Sequence, residues 1–109
     1  MIVYINKKYD VIVLDQMLWY ILESLTQSLE NCFFMLNTNG RIIISQGFLK
    51  TPQKYGVDIC NGFNGLINFL DTNIKHIFDI EYSDYDDSNT FMHNDGIVSL
   101  SKLSIALKK

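Results

Sequence analysis

The chain has 109 residues, 48% of them hydrophobic and 13% aromatic, and a net charge of −3. That is enough for one domain with one core, and the apolar content excludes a disordered chain. The basic residues are scattered, adjacent only at Lys7-Lys8 and Lys108-Lys109, so the chain lacks the basic footprint of a nucleic-acid binder and has no electrostatic attraction to anionic membranes.

Ile2-Val3-Tyr4-Ile5 is β-branched and aromatic and fits a short strand. Val11-Ile12-Val13-Leu14 is a continuous apolar run between Asp10 and Asp15, the pattern of a parallel strand buried on both faces. From Met17 to Leu36, apolar residues at 17, 18, 21, 22, 25, 29, 32, 33 and 36 make a helical stripe, with Glu23, Ser24, Gln27, Ser28, Glu30 and Asn31 on the polar face. Asn37-Thr38-Asn39-Gly40 stops that helix, Asn39 or Gly40 being suited to a left-handed position. Arg41 to Ser45 is the next buried strand, and strand, helix and strand together predict a right-handed βαβ unit. Gln46 to Gly62 is expected to be a loop, punctuated by Gly47, Pro52, Gly56 and Gly62. At about sixteen residues it is long for a connection, which points to a functional loop or a short helix inside it. Phe63 to Leu70 predicts a short helix, Ile74 to Tyr82 a strand, Asp84 to Gly96 a polar turn and Ile97 to Leu107 a terminal strand. The hairpin-like link between the last two strands makes them antiparallel. No apolar run approaches the roughly 18 residues of a membrane span, and Lys7-Lys8 after an apolar stretch reverses the order of a signal peptide. Cys32 and Cys60 have no metal-like spacing; two reduced thiols in a cytoplasmic protein are expected.

This order of elements resembles the C-terminal half of a class I S-adenosylmethionine-dependent methyltransferase. Tyr9-Asp10-Val11-Ile12-Val13-Leu14-Asp15-Gln16 is similar to the family's fourth strand and the turn after it. Leu36-Asn37-Thr38-Asn39-Gly40-Arg41-Ile42-Ile43-Ile44-Ser45 is similar to its fifth strand, with Asn39 in place of a glycine. Phe78–Tyr82 resembles the sixth strand, and Asn94-Asp95-Gly96-Ile97-Val98-Ser99-Leu100-Ser101-Lys102 the seventh. In the family's sheet order, 3-2-1-4-5-7-6, the seventh strand is antiparallel. The resemblance spans about residues 7–103. It implies an α/β fold over residues 1–109: a single truncated methyltransferase-like domain with a partial Rossmann-like sheet, mainly parallel with an antiparallel C-terminal strand. On this pattern residues 2–5 match the end of a helix instead of a strand, and both readings stand.

Ligands of open α/β sheets sit beyond the carboxyl ends of the strands, here Asp15-Gln16 and Ser45-Gln46-Gly47. The resemblance implies cofactor contact by Asp15 and Gln16. Tyr20, one turn into the helix, Gln46 and Tyr55 are candidates for the substrate. Asp15 also suits a helix cap, worth about 1 kcal/mol. No residue is assigned a catalytic role. The family's glycine-rich cofactor turn and its ribose-binding carboxylate have no counterpart in the sequence; Gly62-x-x-Gly65 follows a loop and reads as the start of a helix. The expected cofactor is therefore S-adenosylmethionine, bound weakly or not at all by this chain alone. The expected activity is methyl transfer to a small-molecule acceptor once an N-terminal half completes the site; the alternative is a non-catalytic remnant serving assembly or regulation. Without the first three strands, Val11–Leu14 becomes an apolar sheet edge, an association hazard. The expected partner is a second copy or a complementing N-terminal methyltransferase half.

Other constellations carry less. Asp84-x-Asp86-Asp87-x-Asn89 lacks the sixth-position glycine and closing glutamate of a calcium loop, so a solvated hairpin tip and no metal are expected. His76 and His93 have no ligand spacing; His93 beside Asp95 fits either a general base over the site or a surface loop. Ser45 lacks the G-x-S-x-G setting of a hydrolase nucleophile.

Overall fold

A computed structural model describes residues 8–49, 56–86 and 93–103, the side chains of Leu49 and His93 excepted. Strand β1 (Tyr9–Asp15) leads into a short helix α1 (Leu18–Ile21), a 3-10 turn at Leu22–Ser24 and helix α2 (Leu25–Met35). Strand β2 (Leu36–Leu49) follows, then helix α3 (Gly62–Asn73) and strands β3 (Phe78–Asp86) and β4 (His93–Lys102). The four strands form one sheet in the order β1-β2-β4-β3. This is the 4-5-7-6 portion of the order that the resemblance implies.

The sheet is not mainly parallel. β1 and β2 pair in parallel, with Val11 to Asp15 facing Arg41 to Ser45, but β4 is antiparallel to both β2 and β3. The reversed strand lies between two strands that share a direction, so each of its ladders is antiparallel. Several strand boundaries also differ from those expected. β2 does not stop at Ser45: Gln46 to Leu49 continue it because β4 supplies partners, Gln46 opposite Gly96 and Leu49 opposite His93. The stretch expected to be a loop therefore begins as strand. β3 starts at Phe78, after a turn at 74–77, and runs to Asp86, while β4 already begins at His93. Both ends of the polar 84–96 stretch are thus strand. Residues 104–107 of the expected terminal strand and residues 2–5 lie outside the described set.

Alternation along β2 places the core. Ile42, Ile44, Gln46 and Phe48 are buried, whereas Arg41 is exposed and Ile43, Ser45 and Gly47 are half-buried. The buried positions join Val98, Leu100 and Phe78 of the sheet with Leu18, Leu22, Leu25 and Leu29, Phe33, Leu66 and Leu70 of the helices in one cluster. On the other face Tyr9, Val11, Val13 and Tyr82 are exposed. The expected helix-stop segment is already strand: α2 ends at Met35 with an extended Leu36 after it, and the left-handed φ of 67° falls on Asn39 within β2. A Cβ on Gly40 would lie 2.8 Å from the Asn37 carbonyl oxygen, so glycine is required there by close approach of the backbone. At the C-terminal end of α2, Lys102 Nζ donates to Leu36 O (2.7 Å) and Lys8 Nζ to Phe34 O (3.0 Å). Both cations complement the negative end of the helix dipole.

Candidate functional site at the strand tips

The parallel pair brings the tips of β1 and β2 together. Gln16 follows β1 with a left-handed φ of 57°, a conformation that costs a non-glycine residue free energy and needs support. Support comes from β2. Gln16 N–H donates to Ser45 O at 2.7 Å, and Gln16 Oε1 accepts from Gly47 N–H at 3.1 Å.

Gln46 completes the link. Its side chain is buried, 3% exposed. Its Oε1 accepts the Leu18 N–H at 3.1 Å, while its Nε2 donates to Gln16 Oε1 at 3.2 Å and to Gly47 O at 3.3 Å. The backbone donors Leu18 N–H and Gly47 N–H fix which end of each carboxamide is oxygen, since only the oxygen can accept from an N–H. α1 is therefore capped from another strand. Asp15 does not cap it: Met17 occupies the cap position with no side-chain hydrogen bond. Being the last residue of β1, Asp15 is directed by the strand and not by the helix. Its exposed carboxylate instead accepts from Gln16 Nε2 at 3.4 Å.

The five residues proposed from sequence are thus placed unequally. Asp15, Gln16 and Gln46 form one hydrogen-bonded group. Tyr20 stands on α1 with 85% of its surface exposed. Tyr55 lies outside the described residues. A second feature had no signal in the sequence. Beyond Gln46, Phe48 makes edge contacts with Trp19, Phe63 and Tyr85, and Phe63 stacks on Tyr85 at 5.0 Å. Asn94, opposite Phe48 on β4, donates to Tyr85 OH at 3.1 Å, while its buried Oδ1 has no hydrogen-bond partner. These residues come from α1, β2, α3, β3 and β4, so only the tertiary fold assembles them.

The thiols stay away from this chemistry. Cys32 and Cys60 are buried and unbridged, and burial pushes the Cys60 thiol up to about 11. Among the described residues no group of His, Cys, Asp or Glu is arranged to hold a metal ion. Asp84 and Asp86 lie on β3 itself. No described helix is long and apolar enough to cross a membrane. An open groove of about 450 Å³ between α2 and α3, with Leu22, Glu23, Glu30, Ile59 and Phe69 in its walls, includes none of the strand-tip residues.

Order and direction define a four-stranded Rossmann-like α/β sheet with a reversed strand next to its edge. Among solved structures the chain is similar to the N-methyltransferase NodS from Bradyrhizobium japonicum WM9, with a TM-score of 0.65 and 11% identity over 92% of this chain and 54% of that one. The same enzyme in complex with S-adenosyl-L-homocysteine gives a TM-score of 0.62 at 11% identity, over 92% and 49% of the two chains. An rRNA-methylase, described as putative, from Clostridium thermocellum gives 0.54 at 16% identity, over 93% and 51%. The chain spans about half the length of these methyltransferases. At such identities the likeness is one of fold. No protein-family model matches the sequence, and no curated protein matches it.

Proposed function

We propose that this chain forms one half of an S-adenosylmethionine-dependent methyltransferase domain, and that it supports methyl transfer to a small-molecule acceptor when an N-terminal half completes the site. The observation that carries this reading is the strand order β1-β2-β4-β3 with its single reversed strand, matched over 92% of the chain in NodS. Asp15 and Gln16 are the cofactor candidates of this reading and Tyr20 and Tyr55 its acceptor candidates, while Gln46, buried, serves the acceptor side only through the turn it holds. The free groups at the tip fit only part of such a cofactor. Gln46 and the Gln16 oxygen are already engaged, which leaves the Asp15 carboxylate and a Gln16 N–H. No described residue supplies a glycine-rich turn or a ribose-binding carboxylate. When bound, the cofactor supplies the methyl group; the chain's part is to hold a carboxylate and an amide N–H at a fixed spacing beside it. A cytoplasmic location belongs to the same reading.

Titration calorimetry with S-adenosylmethionine tests it. The chain alone is expected to bind no tighter than millimolar, and micromolar binding would show that it needs no complement. Addition of a polypeptide carrying a strand followed by G-x-G-x-G is expected to bring affinity to the micromolar range. Failure of every such complement overturns the methyltransferase reading.

A specific observation favours a second reading, assembly through the sheet. β1 is at the edge of the described sheet, with Val11 48% and Val13 58% exposed. An apolar edge strand pairs readily with another chain, and a two-fold axis beside β1 would join two copies into one sheet. Sedimentation equilibrium at micromolar concentration is expected to give twice the chain mass; the mass of a single chain overturns the dimer.

A further inference from the structure

We infer that Gln46 is a positioning residue: through its buried carboxamide it holds the Asp15–Gln16 turn in the one arrangement that directs the Gln16 N–H toward Asp15. Three hydrogen bonds make a directed chain. Leu18 N–H donates to Gln46 Oε1, Gln46 Nε2 to Gln16 Oε1, and Gln16 Nε2 to Asp15 Oδ1. Each carboxamide is oriented by a backbone N–H that only an oxygen can meet, Leu18 for Gln46 and Gly47 for Gln16. The polarity of the whole chain is therefore set from inside the protein, and it ends on an exposed carboxylate.

Gln46 is buried, and its amide is spent on protein partners, so it acts on any ligand through Gln16 and Asp15 and not by contact. The left-handed Gln16 is what the link stabilises. Released from Gly47 and Gln46, Gln16 regains the extended and right-handed conformations that other residues prefer. The consequence for a methyl donor or acceptor rests on the function proposed above; the order of the turn does not.

Nitrogen-15 NMR of the intact chain separates the parts. Gln46→Glu keeps an oxygen for Leu18 N–H and loses the donor to Gln16. The expected result is protection of Leu18 N–H from hydrogen exchange within about twofold of the parent, and exchange of Gly47 N–H roughly fivefold or more faster. The Gln16 side-chain amide resonances should shift as well. Gln16→Leu, at an exposed position, leaves the cap of α1 in place. There the Gln46 side-chain amide protons are expected to exchange roughly fivefold or more faster, and Gly47 N–H, which loses its acceptor, with them, while the other helix and sheet amides are unchanged. If Gln46 amide protons are unmoved in the Gln16→Leu chain, the link does not exist and the inference falls, whether or not the Gln46→Glu chain folds. A chain that binds no S-adenosylmethionine yet shows these coupled responses retains the positioning role and loses the methyltransferase reading instead.

Discussion

Single side chains at the strand tips divide into those the fold uses and those it leaves free. Tyr20 is 85% exposed, so Tyr20→Ala is expected to change stability by less than about 0.5 kcal/mol in urea denaturation; an effect on acceptor affinity in a completed enzyme would then be a contact effect. Gly96 is the opposite case. A Cβ there would lie 2.5 Å from Phe63 Cδ1 and 2.9 Å from Phe48 Cε2. The Phe63 ring is stacked on Tyr85 and cannot move without breaking that contact. Gly96→Ala is therefore expected to cost about 1–3 kcal/mol, read as a lower urea midpoint at unchanged slope. Cys60 gives a pH signature. Burial raises it from the ordinary 9.0 to about 11, so the folded chain holds the thiol proton more tightly than the unfolded one. The stability this contributes is fully present below pH 9.0 and is lost as pH rises through about 11. Iodoacetamide labelling of Cys60 at pH 8 is accordingly expected to be at least about tenfold slower in the native chain than in urea, since burial both raises the thiol and closes it to the reagent.

At the scale of elements, the helices are held by their apolar stripes and not by their own caps. Neither α2 nor α3 has a side-chain N-cap hydrogen bond; α1 borrows one from Gln46 on β2. Helices of this length are marginal by themselves, and most of their stability comes from the buried face. Leu29 of α2 and Leu70 of α3 are 0% exposed. Leu29→Ala or Leu70→Ala is expected to cost about 2–5 kcal/mol by chemical denaturation. The stripe from Met17 to Leu36 predicted this helix and its face, and the structure keeps both while breaking the helix by a 3-10 turn at Leu22–Ser24. The extension of β2 past Ser45 had no equivalent signal. Gln46-Gly47 is polar and flexible as sequence, and only its pairing with Gly96-Asp95 makes it strand.

For the whole molecule, the described residues form a sheet with helices packed on one side. On the opposite side the apolar residues of β1 are exposed, although its unbroken apolar sequence is that of a strand covered on both faces. Both proposals draw on this imbalance: a complementing half would cover the face, and a second copy would pair the edge. Val13→Lys places a charge at that edge and is expected to leave the fold intact while removing self-association, read by sedimentation at matched concentrations. If self-association survives the lysine, contact through this edge is excluded.

The sequence by itself determined the α/β class, the βαβ unit, the antiparallel hairpin of β3 and β4 and the apolar stripe of α2, because each depends on local periodicity and on short connections. It also pointed to the strand tips as the candidate site, since Asp15-Gln16 and Gln46 end apolar runs. The position of β4 between β2 and β3 was implied by the family resemblance, and the structure has it. The tertiary structure alone decided two things. It turned Gln46 from a free polar residue into the buried link between Leu18 and Gln16, because burial and donor geometry arise only when the two strands lie side by side. And it gathered Trp19, Phe48, Phe63, Tyr85 and Asn94 around Gly96, a cluster drawn from five elements that no spacing along the chain could reveal.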